Sequence, residues 1–336
     1  MQFVRYIPTI DTHTEGEPTR IITGGLPAIS GETMLEKKRY MKKYLDNVRT
    51  AVMNEPRGHH NMFGAVLTEY VSENADLGLI FMDGDGYLNM CGHASIGALT
   101  VAIETGVIPP KKPFTNIIID TPIGQIEAAA KIDDENKVEY VSITGRPSFV
   151  YERDITIETG KYGQISLDVA FGGSFVALVN MEQLNLKLLR ENAEEIIALG
   201  MEIKALANKA VKVRHPEYGN VGKIEIAELY KCLDSKKQRY INVGVFGHEQ
   251  LDRCPCGTGI CALMASFFEQ GTLDEKEDFL LESIIGTKFE GRVLDSAEIG
   301  TYSGIIPQFR GNAYITGFNQ IVIDPYDPVK YGFRLG

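Results

Sequence analysis

The sequence has no excess of basic residues and no long apolar run, and both absences narrow the classes of protein it can encode. Its 34 basic and 45 acidic side chains give a formal charge of −11, which argues against a nucleic-acid-binding protein. No apolar run approaches the roughly 18 residues of a membrane span, and the first residues lack the apolar segment of a signal peptide. Five cysteines in 336 residues are too few for a disulfide scaffold. We therefore expect a soluble cytoplasmic protein without nucleic-acid or membrane partners.

The hydrophobic patterns indicate a mixture of helices and strands. Apolar residues recur at helical spacing from Met41 to Val52 and from Ile196 to Ala210, which predicts one long helix in each half. β-rich runs lie around and between these helices, at residues 77–82, 116–120, 138–143, 166–169, 241–246 and 313–323. Strands mixed with single long helices predict an α/β (α+β) fold.

A weak internal repeat relates the two halves of the chain. Cys91-Gly92 recurs 165 residues later as Cys256-Gly257. An apolar helix is predicted after each cysteine, over residues 94–105 and 260–270, and a glycine closes each helix. We therefore predict two similar lobes, 1–160 carrying Cys91 and 161–336 carrying Cys256; the prediction leaves open that the last strands cross back to the first lobe.

The cysteine at the start of each predicted helix suggests chemistry. Unsatisfied N–H groups and the helix dipole at that position stabilise a thiolate and lower the thiol pKa, and the same N–H groups can bind a carboxylate. Two thiols on opposite walls of one site suit inversion at an α-carbon, because one base removes the α-proton and the other delivers a proton to the opposite face.

These cysteine motifs, together with others along essentially the whole chain, resemble the proline racemase family, which includes hydroxyproline 2-epimerases and trans-3-hydroxyproline dehydratases. The motifs are Asp11-Thr-His-Thr-Glu-Gly-Glu-Pro-Thr-Arg20, Glu55-Pro-Arg-Gly-His59, Met62-Phe-Gly64, Asn89-Met-Cys-Gly-His93, Phe171-Gly-Gly-Ser-Phe175, Asp252-Arg-Cys-Pro-Cys-Gly-Thr-Gly259 and Gly317-Phe-Asn319. The resemblance implies a fold like that of diaminopimelate epimerase, with two pseudo-symmetric lobes and the active site in the cleft between them. It also implies a homodimer that uses neither pyridoxal phosphate nor metal.

The resemblance assigns a role to each matching residue. Cys91 and Cys256 match the two catalytic bases, and Asp252 matches the acid near the substrate nitrogen, where His93 is a second polar contact. The residues that match the backbone around the substrate carboxylate are Gly92, His93, Gly257 and Thr258. Phe63 and Phe246 match two aromatic pocket walls. One departure is Cys254, at a position where the family motif usually has serine.

The expected reaction is cofactor-independent racemisation of L-proline and D-proline. Dehydratases of the family generally have threonine in place of the second base, whereas this chain has Cys256. Two phenyl walls leave a substrate 4-hydroxyl unpaired, at a cost of about 1–3 kcal/mol, so 4-hydroxyproline 2-epimerase is the alternative. A non-catalytic amino-acid-binding or redox-sensing protein is a further alternative from a different class.

We expect no metal and no cofactor. The cysteine spacing around Cys254, Cys256 and Cys261 lacks the usual Cys-x₂-Cys pair of a zinc site. The glycine pairs at 24–25 and 172–173 do not form a nucleotide-binding fingerprint. The predicted partner is therefore one small amino acid.

Overall fold

The computed structural model describes residues 5–217, 219 and 222–335, and the chain divides into two compact units. The first unit runs to Ile143 and resumes at Asn312, and the second comprises Thr144–Gly311. The expected boundary at residue 160 lies within the second unit, between two of its strands. The last strand of the chain belongs to the first unit.

The first unit is built on a mixed sheet. Its order is β18-β1-β2-β3-β4-β6-β7-β8, with β5 also paired to β4; the pairs β2–β3 and β4–β6 are parallel and the others antiparallel. The strands are β1 (Arg5–Thr14), β2 (Glu17–Ile22), β3 (Phe63–Thr68), β4 (Leu77–Asp83), β5 (Tyr87–Leu88), β6 (Phe114–Thr121), β7 (Gly124–Ile132), β8 (Val138–Thr144) and β18 (Ala313–Ile323). The helices are α1 (Met34–Tyr44), α2 (Asp46–Met53) and α3 (Gly92–Glu104).

The second unit repeats this plan. Its strand order is β9-β10-β11-β12-β13-β15-β16-β17, with β14 also paired to β13 and β17 returning to pair with β9. Its strands are β9 (Ser148–Thr159), β10 (Gly163–Phe171), β11 (Phe175–Asn180), β12 (Ile224–Asp234), β13 (Arg239–Phe246), β14 (Gln250–Leu251), β15 (Asp278–Ser283), β16 (Lys288–Ile299) and β17 (Tyr302–Gly311). Its helices are α4 (Ala193–Ala210) and α5 (Gly257–Glu269), with short 3₁₀ turns at 181–183, 190–192 and 235–237.

The topology confirms the predicted pseudo-symmetry. Parallel strands need a crossover connection; α3 lies in the connection from β4 to β6, and α5 lies in the connection from β13 to β15. Both helices contain 13 residues, and α5 starts 165 residues after α3. Each is followed by a glycine in the left-handed region, Gly106 (φ 79°) and Gly271 (φ 67°). The mixed α+β fold is therefore the predicted one.

The prediction of one continuous helix through Met41–Val52 is wrong. The chain leaves helical geometry at Leu45 (φ −128°, ψ 14°), which ends α1 and precedes α2. Tyr44, which belongs to the apolar face that this spacing predicts, is 57% exposed. No glycine or proline lies at the break, and the apolar periodicity continues across it. The local sequence therefore does not predict that the helix ends here.

The two crossover helices lie in the interior of their units. All residues from His93 to Ile103 in α3 are buried, as are all those from Gly259 to Phe267 in α5. A helix that is apolar on all sides is typical of a buried position. Close packing along the whole helix therefore holds the first turn of each helix in place. Within the described residues, no helix is both long and apolar enough to cross a membrane.

Helix α4 packs closely on β13 through a glycine. A Cβ atom at Gly200 would lie 2.5 Å from Val245 Cβ and Cγ2. We expect Gly200→Ala to lower the free energy of unfolding by about 1–3 kcal/mol through overpacking, although alanine is the better helix former. Urea unfolding measures this change. Gly86→Ala is the control, because a Cβ there meets nothing within 4 Å; equal effects of the two substitutions would contradict the prediction.

Candidate active site

Cys91 occupies the N-cap of α3 in the first unit. Its backbone is extended (φ −150°, ψ 113°), and the residue is 8% exposed. Ser95 fixes this turn, because its backbone N–H and its Oγ both donate to the Cys91 carbonyl, at 3.0 and 2.8 Å. The thiol is therefore presented at the start of a helix whose first N–H groups have no intrahelical acceptor.

His93 and Phe63 lie beside this thiol. Cys91 Sγ is 3.4 Å from His93 Nδ1, and the Phe63 ring meets the imidazole edge-on with centroids 4.6 Å apart. Thr14 Oγ1 donates to the His93 carbonyl at 2.8 Å and anchors the turn to β1. Burial lowers the pKa of His93 to about 3, so its imidazole is neutral near pH 7.

Cys256 occupies the equivalent N-cap of α5 in the second unit. It adopts a left-handed backbone (φ 55°), which is uncommon for a residue with a side chain and costs conformational free energy. Its Sγ accepts a hydrogen bond from the Gly259 N–H at 3.3 Å, and the residue is 6% exposed. The strained turn thus directs the sulfur onto the first turn of its own helix.

Two buried carboxyl groups contact the Cys256 thiol. One belongs to Asp252, the residue that the resemblance assigns to the substrate nitrogen, and the other to Glu228 of β12. Glu228 is 0% exposed, and Asn242 Nδ2 donates to its Oε1. Neither Glu228 nor Asn242 is among the site residues predicted from the sequence. The available signal was a charged residue in the centre of an apolar strand, Ile226-Ala-Glu-Leu-Tyr230.

The expected lowering of the Cys256 pKa by the helix N-terminus is wrong. Burial and the neighbouring Asp252 and Glu228 carboxyls raise the pKa of this thiol well above its usual range, and the Gly259 N–H offsets only part of that rise. Burial likewise raises the pKa of Asp252 above its ordinary range, and that of Glu228 to about 8. Removing an acid from water disfavours its charged form, and this outweighs the helix N-terminus here.

The remaining predicted site residues flank these thiols within each unit. Gly92 follows Cys91, and Gly257 and Thr258 follow Cys256; all three are partly exposed at the first turns. Phe246 ends β13 and is partly exposed. The first unit thus groups Cys91, His93 and Phe63, and the second groups Cys256 and Asp252. Within the part of the chain that the structure describes, no cluster of three or more His, Cys, Asp or Glu side chains could hold a metal ion.

The chain is similar to known proteins of one family. A sequence model described as proline racemase matches residues 9–334. The chain belongs to the proline racemase family. It is 48% identical to the proline racemase of Acetoanaerobium sticklandii over 100% of both chains. It is 41% identical to the trans-3-hydroxy-L-proline dehydratase of Bacillus thuringiensis, again over 100% of both.

A solved structure supports the same relationship. The hydroxyproline epimerase from Agrobacterium vitis, with bound trans-4-OH-L-proline, matches 98% of this chain and 95% of its own, with a TM-score of 0.90 and 29% identity. The relatives of this chain therefore include proteins named as racemase, dehydratase and epimerase, and the epimerase has the same fold.

The buried neutral imidazole of His93 makes stability depend on pH. Its folded pKa of about 3 lies below the ordinary value of about 6.5, so its contribution is present above pH 6.5 and is lost as the pH falls toward 3. Native protein should lose up to about 1.4 kcal/mol of its free energy of unfolding per pH unit through this group as the pH falls, and His93→Gln should not show this loss. Urea unfolding at pH 7, 6 and 5 measures the difference between variant and native protein.

His248→Gln supplies the control, because this exposed imidazole is not buried on folding. A difference between His93→Gln and native protein that stays constant across the pH series would contradict the prediction.

Proposed function

We propose that this protein interconverts L-proline and D-proline, with Cys91 and Cys256 as the two acid/base groups at the α-carbon. The observation that carries the proposal is a buried cysteine at the equivalent helix N-cap of both repeated units. A relative named proline racemase that matches over its full length supports the same reaction.

The proposed reaction moves one proton at each face of the substrate. The thiolate of one cysteine takes the α-proton, and the electron pair of the broken C–H bond stays on the α-carbon. The thiol of the other cysteine then donates its proton to the opposite face, so that one thiol and one thiolate exist before and after each turnover. The reverse reaction exchanges the roles of Cys91 and Cys256.

The first turns of α3 and α5 would bind the substrate carboxylate. Unsatisfied N–H groups at Gly92, His93, Gly257 and Thr258 can donate to it, and this stabilises the charge that develops as the α-proton leaves. Asp252 would accept hydrogen bonds from the secondary ammonium of proline. A cation at that position favours the charged form of this carboxyl, which burial otherwise disfavours.

Cys256 and the two phenylalanines favour proline among the family substrates. Cysteine at the second base position supports racemisation or epimerisation over dehydration. Phe63 and Phe246 would line the ring of the substrate with apolar surface, so a 4-hydroxyl would lose its hydrogen bonds with water. The alternative remains 4-hydroxyproline 2-epimerisation, which the Agrobacterium vitis relative with its bound trans-4-OH-L-proline supports.

The mechanism needs no metal and no cofactor, because the thiols hold and move both protons. Assembly as a homodimer and a cytoplasmic location stay predictions that rest on the family resemblance and the composition. Size-exclusion chromatography with light scattering tests the dimer, for which a mass of twice 37.2 kDa is expected.

Both proposed bases can be tested by conservative substitution. We expect Cys91→Ser and Cys256→Ser each to lower kcat/KM for proline racemisation by about 10²–10⁴, because a serine hydroxyl is a far weaker acid than a thiol. Polarimetry measures inversion, and deuterium incorporation at the α-carbon in heavy water measures proton exchange. Cys232→Ser on β12 is the control and should stay within about twofold of native protein. Native racemisation in either site variant would refute the two-thiol mechanism.

Substrate preference distinguishes the two candidate reactions. With one preparation, we expect kcat/KM for proline to exceed that for trans-4-hydroxyproline by about fivefold or more, which corresponds to the lower end of the cost of an unpaired hydroxyl. Exchange of the α-proton with deuterium, followed by mass spectrometry, measures both substrates in the same way. A higher value for hydroxyproline would replace racemisation by epimerisation as the function.

A further inference from the structure

Glu228 is a fully buried acid in the centre of β12, and two glycines make room for it. A Cβ at Gly259, in the first turn of α5, would lie 2.3 Å from Glu228 Oε2. A Cβ at Gly244, the partner of Glu228 on β13, would lie 3.2 Å from the same oxygen and 2.8 Å from Asp252 Oδ2. The two carboxyl groups therefore converge on one point beside the N-terminus of α5.

Asn242 connects Glu228 to the turn that carries the thiol. It is 0% exposed; its Nδ2 donates to Glu228 Oε1 and, at 3.0 Å, to the carbonyl of Pro255, which precedes Cys256. These two hydrogen bonds fix the position of the Glu228 carboxyl relative to the Cys256 thiol that it contacts.

The charged and titratable groups around this thiol come from three segments. Glu228 faces the thiol from β12, Asp252 directly follows β14, and Cys254 lies in the turn before α5. The positive charge of Arg253 attracts the Asp252 carboxylate. Three of these groups and Cys256 are acids in a water-excluded region, and one guanidinium cannot balance several negative charges there. The acids therefore cannot all be ionised together.

The hydrogen-bond pattern indicates which acid retains its proton. Among the described residues, Glu228 Oε2 accepts no hydrogen bond, whereas a buried carboxylate ordinarily accepts several. A protonated carboxyl needs an acceptor at that oxygen instead. The Cys256 sulfur, which this carboxyl contacts, can serve as that acceptor.

We propose that Glu228 stays protonated and is a positioning residue, whose O–H donates a hydrogen bond to the thiolate form of Cys256. This rests on the proposed function, in which that thiolate is one of the two working states. The proton of Glu228 is not consumed, because it stays on the carboxyl throughout turnover. Asp252 is then left as the charged carboxyl available to the ammonium group of the substrate.

The test measures the ionisation of Cys256 without substrate. The rate of alkylation by iodoacetamide is followed by mass spectrometry of the Cys256 peptide at pH 7 and pH 9, in native protein, Glu228→Gln and Glu228→Leu. Glutamine keeps a neutral donor at every pH, whereas leucine has a similar size and no donor. Glu225→Gln, an exposed acid on the same strand, controls for the loss of a carboxyl from β12.

The expected ratios change with pH. Glu228→Gln should react at about the native rate at pH 7 and about tenfold faster at pH 9, where the native carboxyl loses its proton and repels the thiolate. Glu228→Leu should react about tenfold more slowly than Glu228→Gln at both pH values, because the charge-assisted hydrogen bond is absent. Glu225→Gln should match native protein.

Two results would overturn the proposal: a Gln-to-native ratio that does not rise with pH, or equal rates in the Gln and Leu variants. If the Leu variant does not fold, as judged by circular dichroism, the Gln-to-native ratio decides alone. Because no step depends on turnover, a failure of proline racemisation would refute the proposed function separately.

Discussion

The energetic cost of ionising a thiol away from water is the constraint on which the candidate site depends. A thiol that acts as a base must shed its proton, as we propose for Cys91 and Cys256, yet both residues are nearly inaccessible to solvent. Each unit surrounds its thiol differently. The first supplies the neutral imidazole of His93, and the second supplies the Gly259 N–H and two carboxyl groups. A proton shared within the second group would keep its total charge low.

Helices α3 and α5 each pack closely within their own unit, and glycine residues allow this close packing. A Cβ at Gly97 would lie 2.7 Å from Thr12 Oγ1, and one at Gly172 would lie 2.2 Å from the Thr258 carbonyl oxygen. Gly259 serves two purposes, because its backbone N–H donates to the sulfur and its lack of a side chain lets Glu228 of β12 approach the turn.

The sequence predicted the framework well, because the framework follows local patterns. Strands at 77–82 and 313–323 and the paired Cys-Gly helices carry clear periodicity and glycine stops, and the structure confirms them. The break at Leu45 has no local signal. The pKa of Cys256 could not be predicted, since it depends on Glu228, which lies 28 residues earlier in the chain and meets the thiol only through the β12–β13 pairing. Chemistry set by contacts between distant strands is not visible in a local motif.

The unlike surroundings of the two cysteines have a consequence for the kinetics of a racemase. L-proline and D-proline have equal free energies in water, so the equilibrium constant between them is one, and kcat/KM must be equal in the two directions. If the thiolate beside His93 and the thiolate beside Asp252 are unequally stable, the enzyme exists as two free forms of unequal population. In the proposed mechanism, each form accepts one enantiomer. The unequal stability of the two free forms can then change kcat and KM only by the same factor in each direction. At high substrate concentration, the interconversion of the two free forms can also limit the rate.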